Sequence, residues 1–214
     1  MKKIIFTSLL TLTCVLSLAQ ETKFGIKGGL NLSNQTDNVM KSITSTNNSM
    51  MLGYNLGTFL EFNLSSKLAI QPEILFSYQG NKYTFNDVIR PSFDSPDEYF
   101  TYQVSNELYY INIPVMIKYY FIKKVSLEFG PQLGVLLGSK SNFSFSTPSL
   151  GNYSNTDKHS YKSIDYGINL GASYHFTKYI STELRYNFGL YNVNNKTSNE
   201  IKNRVISISI NYKL

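Results

Sequence analysis

Glu61, Glu73, Lys118, Glu128, His175, Glu183 and Arg185 are spread over six segments in which every second residue is apolar, each on the alternate, polar set. Carboxylates beside bases can carry out general acid–base chemistry, relay a proton or ion, or form an interior salt-bridge cluster. Buried charges require partners. The four glutamates nearly balance Lys118, Arg185 and Lys213, so a polar cluster filling an interior is the expected arrangement. A gated proton or ion path and a pair of acid/base carboxylates are its alternatives. A second grouping, "NTDKHSY", offers Asp157, His159 and Ser160 for nucleophilic or water-activating chemistry. Triads usually draw their members from distant parts of a fold, and three near-neighbours in one loop do not resemble that. His159 and His175 are expected at opposite ends of the molecule, which argues against a histidine metal site. No catalytic, metal or cofactor-binding residue is assigned, no cofactor is implied and no enzymatic activity is expected. A third stretch, "RPSFDSPDEYFTY", places Asp94, Asp97 and Glu98 among Phe93, Tyr99 and Phe100. It reads as a solvated loop, or as a surface that takes a divalent ion, glycan or protein.

The elements carrying these residues alternate with period two, the mark of strands with two unlike faces. Phe24 to Leu32 is the first run, and Leu52 to Phe62 and Ile70 to Tyr78 follow. Tyr109 to Tyr119 and Val125 to Leu137 continue the series, and Tyr166 to Phe176, Ile180 to Leu190 and Ile206 to Leu214 complete eight. The links after the second, fourth and sixth runs are tight: "NLSSK", "IKK" and "TK". The other links are long and polar, over 33–50, 82–107, 139–162 and 193–203. Short turns alternating with long loops are the pattern of an outer-membrane barrel with periplasmic turns and external loops. Gly25, Gly29, Gly53, Gly57, Gly130, Gly134, Gly167, Gly171 and Gly189 all fall on the polar face. An eight-stranded barrel has room inside only for side chains, so the small-residue face belongs inside and the Leu/Ile/Tyr/Phe face meets lipid. Tyrosines near the strand ends fit aromatic girdles at the headgroup level. Pro72, Pro114 and Pro131 stand at similar depth in the third, fourth and fifth runs, where a missing N–H predicts bulges or a loosened ladder.

The opening "MKKIIFTSLLTLTCVLSLAQ" reads as a secretory signal peptide over 1–19, with Lys2 and Lys3 before an apolar stretch and Ser17-Leu18-Ala19 as the cleavage site. The barrel domain is then 20–214. Cys14, the single cysteine, lies inside the signal, so the mature chain offers no disulfide or thiolate. Without Lys2 and Lys3 the net charge of +6 becomes +4, and the basic residues are scattered. A nucleic-acid surface would cluster them, so nucleic acid is not expected as a partner.

The order of motifs resembles the PorT-like outer-membrane β-barrel family of Bacteroidota. The matching residues are "FGIKGGLNLS", "LAIQPEILFSYQG", "YYINIPVMIKYYF", "LEFGPQLGVLLGSK", "DYGINLGASYHF" and "STELRYNFGLYNV". The terminal "ISISINYKL" is similar to the strand signal read by barrel-insertion machinery. The resemblance implies an all-β, eight-stranded antiparallel up-and-down barrel in the outer membrane of a Gram-negative bacterium. Its expected partners are outer-membrane lipid, the insertion machinery, and a protein met through the long loops or the periplasmic rim. The expected role is structural or surface interaction, with the lumen plugged by Glu61, Glu73, Lys118, Glu128, His175, Glu183 and Arg185. Membership of an envelope assembly or secretion system and a narrow pore are the alternatives.

Overall fold

Alternating apolar and polar residues let each segment bury one face, and the chain closes these segments into a ring. The computed structural model describes residues 22–37, 46–89, 98–147, 151–157, 161–195 and 200–214. The strands are β1 (Thr22–Asp37), β2 (Thr46–Asn63), β3 (Leu68–Ile89), β4 (Glu98–Ile122), β5 (Val125–Thr147), β6 (Gly151–Asp157), β7 (Ile164–His175), β8 (Ile180–Gly189) and β9 (Ile201–Lys213). They pair in the order β4-β3-β2-β1-β9-β8-β7-β5, and β4 pairs with β5 to close the ring. All pairings are antiparallel. The expected eight strands therefore form the barrel. A ninth, β6, lies outside the ring and pairs only with β5. Among the described residues no helix is long and apolar enough to cross a membrane; the crossing segments are strands. The signal segment lies outside the described residues.

The faces divide as the glycines predict. Leu56, Ile74, Leu170, Leu184 and Ile210 are exposed on the outside, whereas Lys27, Asn55, Glu73, Glu128 and Asn169 are buried within. A protein in water would invert this distribution; a protein in lipid requires it. Aromatic rings bound the outer face. At one end Tyr54, Phe76, Tyr78 and Tyr109 touch ring to ring at 5.2–6.4 Å. At the other end Tyr119, Tyr174, Phe176 and Tyr212 are exposed beside the short turns. Tyr109 and Tyr119 lie ten residues apart on β4, which at ordinary strand rise and barrel tilt spans about 25 Å, the height of an outer-membrane apolar band.

The short turns use local chemistry. Ser65 Oγ accepts hydrogen bonds from the backbone N–H of Lys67 and Leu68 at 3.2 and 3.1 Å. Thr177 Oγ1 does the same for Tyr179 and Ile180 at 3.1 and 3.0 Å. Such hydroxyl-capped turns reverse the chain without a left-handed residue.

Two expectations need correction, and at the prolines only the loosened ladder of the two expected outcomes forms. The link over 82–107 is largely strand: β3 runs on to Ile89, β4 starts at Glu98, and they stay paired to Ile89↔Glu98. Tyr83, Phe85, Phe100 and Tyr102 continue the alternation there, and this pairs the segment as surely as Leu or Ile would. The link over 139–162 likewise continues β5 to Thr147 and returns as β6. The prolines make no bulge. Pairing between β3 and β4 passes from Pro72↔Val115 to Leu75↔Asn112 without a register shift, and β4–β5 passes from Pro114↔Gln132 to Ile117↔Phe129 in the same way. The ladder is interrupted beside each proline because a donor is missing, but the strands keep step. The register shifts fall instead at Met50/Tyr54, Tyr109/Tyr110 and Tyr120/Ile122.

Candidate functional site: the charged lumen

Inward-facing positions of β1, β2, β3, β4, β5, β8 and β9 bring eight charged side chains into the turn-side half of the lumen. Lys27 Nζ on β1 donates to both oxygens of Glu73 at 3.0–3.1 Å and of Glu183 at 2.8 Å. Arg185 grips Glu73 with two parallel bonds, Nη1 to Oε2 at 3.0 Å and Nη2 to Oε1 at 2.8 Å. Its Nη2 also reaches Glu128 at 3.3 Å, and its Nε lies 2.9 Å from Glu183. Lys118 lies 3.0 Å from Glu128 and 3.7 Å from Glu61, and donates to Gln71 Oε1 at 3.1 Å. Lys213 closes the cluster on Glu61 at 2.7 Å. Neutral donors complete the shell: Gln71 to Glu73 at 2.7 Å, the Tyr120 hydroxyl to Glu61 at 3.0 Å, and Ser173 to Glu128.

Four carboxylates thus face four cations, every one of them buried. Charges taken out of water persist only when paired and hydrogen-bonded, and the forked contact of Arg185 on Glu73 is the geometry that best meets this need. The nominal charge of the network is zero.

Above this layer the lumen is lined by amides and hydroxyls. Asn55 donates to Asn31 at 2.7 Å, Asn31 to Ser77 at 3.0 Å, and Ser209 to Asn55 at 3.2 Å. A cavity of about 30 Å³ remains among them, room for one or two waters. At the outer end Leu108, Tyr110, Tyr161 and Val193 pack into a small buried apolar cluster, with Leu136 and Ile201 against it. Tyr161 and Val193 come from the expected long links. They are held there by a Tyr161↔Asn194 bridge and by the Lys162 N–H on the Val193 carbonyl at 2.9 Å. Tyr161 also donates to Gln35 at 3.3 Å, tying this lid to the polar layer beneath.

Of the residues singled out from the sequence, Glu61, Glu73, Lys118, Glu128, Glu183 and Arg185 meet in one network. His175 stands apart at the turn-side rim, with its Nε2 3.2 Å from Ser126 Oγ and its ring 5.4 Å from that of Tyr120. Lys27, on the same face of β1 as Gly25 and Gly29 and absent from the balance of glutamates against Lys118, Arg185 and Lys213, lies at the centre of the network. Its signal was available: it is inward by alternation and lies five residues into β1. His159 and Ser160, with Phe93, Asp94 and Asp97, lie outside the described residues. So do the side chains of Asp157 and Glu98. Tyr99 is exposed, and Phe100 packs its ring 5.5 Å from Phe145 of the neighbouring strand.

No curated protein matches the sequence. Similar solved structures include Ail, the attachment invasion locus protein of Yersinia pestis, in complex with the heparin analogue sucrose octasulfate. It is 15% identical, with 91% of this chain and 100% of that chain covered and a TM-score of 0.45. Neisserial surface protein A is 13% identical over 91% and 100%, with a TM-score of 0.48. OprG of Pseudomonas aeruginosa is 13% identical over 90% and 95%, with a TM-score of 0.37. The sequence model of the outer membrane protein beta-barrel domain matches residues 18–195. With its closed antiparallel ring, apolar outer face and filled polar interior, the chain belongs to the outer membrane protein beta-barrel domain family and is a protein of the outer membrane.

Proposed function

We propose that this protein is a closed, non-enzymatic barrel that acts at the cell surface through the wall of strands standing beyond its apolar belt. The observation that carries this reading is the continued pairing of β3, β4, β5 and β6 past the Tyr78–Tyr109 girdle. Backbone ladders hold this wall in shape, and rigid external elements are where barrels present recognition surfaces. Its lumen-side face carries Phe85, Phe100, Tyr102, Phe143 and Phe145 in ring contact across the strands at 5.5–6.5 Å. The filled lumen argues against the narrow-pore alternative.

A role in an envelope assembly or secretion system of the PorT kind is the second reading. It is supported by the motif order quoted above and by a wide, lysine-lined mouth at the periplasmic end. The mature chain is expected to lack cysteine, so single cysteines can be placed cleanly. Tyr153→Cys reports from the outer wall and Lys178→Cys from the periplasmic turns. Labelling of the thiol with a membrane-permeant benzophenone maleimide, followed by irradiation of intact cells, is expected to recover adducts from Tyr153→Cys, and adducts from Lys178→Cys alone would overturn the surface reading. Planar-bilayer recording of the purified protein is expected to show no reproducible conductance steps, and regular steps would favour the pore.

A further inference from the structure

The periplasmic mouth of the barrel opens into a vestibule of about 1110 Å³, just above the usual range of small-molecule pockets. Lys23 of β1, Lys67 of the β2–β3 turn, Lys123 of the β4–β5 turn, Lys178 of the β7–β8 turn and Lys213 of β9 all line it. The only side-chain carboxylate among the lining residues is Glu61, which already faces Lys118 and Lys213. Among the described residues the exposed acids lie elsewhere: Asp87 near the far end of β3 and Glu200 just before β9. The deep lumen is neutral, and among the described residues the lining of the vestibule below it adds the turn lysines Lys67, Lys123 and Lys178 with no carboxylate opposite them.

We propose that this vestibule binds an acidic peptide segment presented from the periplasm. Lys67, Lys123 and Lys178 come from three separate turns around the rim, so a single small anion can meet only one or two of them. A ligand that satisfies the ring must carry several negative charges spaced along a chain. The vestibule lies on the barrel axis and faces the aqueous compartment, away from the lipid headgroups that surround the outer face. Entry of such a segment stops at the salt-bridge layer, where Glu61 and Lys118 mark the floor. Electrostatic attraction into a concave mouth speeds association and weakens as salt screens it.

The test uses the folded full-length barrel in nanodiscs of zwitterionic lipid, where both ends are open to solution. A fluorescent hexaglutamate peptide is titrated, with hexalysine, inorganic phosphate and a polyanionic glycan of matched charge as comparison probes. The expected result is saturable binding of hexaglutamate that weakens with salt. The Lys67→Glu/Lys123→Glu/Lys178→Glu variant, altered only in the turns, should lower the affinity about tenfold or more. A Lys82→Glu/Lys140→Glu variant, altered at the outer end, should bind like the parent. Circular dichroism and heat-modifiable migration confirm that each variant is folded. Equal affinity in parent and turn variant, stronger binding of phosphate or the glycan, or binding that requires anionic lipid in the nanodisc would each overturn the proposal. A conductance-silent barrel that fails to bind hexaglutamate would leave the surface reading intact, so the two conclusions fail separately.

Discussion

Glu73 is the residue on which the lumen network turns. It takes both terminal nitrogens of Arg185, the ammonium of Lys27 and the amide of Gln71. Removing its carboxylate leaves two buried cations sharing Glu128 and Glu183, which already have partners. Breaking a buried pair from one side is far more costly than replacing the whole pair with apolar groups. Glu73→Ala is therefore expected to destabilise the folded barrel by about 3–5 kcal/mol, read from urea-dependent folding into lipid vesicles. The contrast is Glu200, whose hydrogen bond from Lys202 holds its carboxyl below the ordinary carboxylate range although it is exposed to solvent. Lys202→Ala should leave the urea transition where it is, because water and salt screen such a pair. An unmoved midpoint in Glu73→Ala together with new channel steps in bilayers would make the network a pathway and not a plug.

Among the elements, β6 alone contributes nothing to ring closure. It pairs with Ser141–Thr147 of β5, beyond the point where β7 leaves β5 at Val135↔Ile164. Replacing Phe143–Thr156 with a short turn should keep heat-modifiable migration and change folding stability by less than about 1 kcal/mol, since local extensions unfold independently of a core. Loss of the folded band on gels would show instead that the wall supports the barrel. The ring itself was readable in the sequence, because period two, three tight turns and the glycine face each constrain it independently. β6 was not: "GNYSNTD" carries only Tyr153 and Thr156 as strand formers, and its pairing depends on β5 having been extended first. The lid was hidden for a related reason. Tyr161 and Val193 come from polar links, and only the closed barrel shows that its mouth is a place to bury them. Within the network, the glutamates were legible by alternation and depth. The partners of Lys27, by contrast, lie 46 and 156 residues away, and no spacing rule spans that distance.

At the scale of the whole molecule the barrel has two solvents, and the charge it tolerates should depend on depth alone. Leu170 lies midway along β7 between Tyr166 and Tyr174, is 55% exposed, and points into the middle of the apolar belt. Tyr153 is 67% exposed on β6, outside the ring and beyond the outer aromatic girdle. By exposure alone the two are similar surface residues. Lipid does not, because an arginine at mid-belt must draw water inward or stretch toward the headgroups. Leu170→Arg is expected to cost about 2–4 kcal/mol of folding stability in vesicles, whereas Tyr153→Arg should cost almost nothing. Tyr174→Arg, near the periplasmic girdle, should fall between them at about 0–1 kcal/mol. Far-UV circular dichroism against urea reads all three. If Leu170→Arg and Tyr153→Arg cost the same, the outer face does not sit in lipid as its belt implies. A graded series would locate the midplane on β7 and fix which side chains of the lumen network lie at membrane depth.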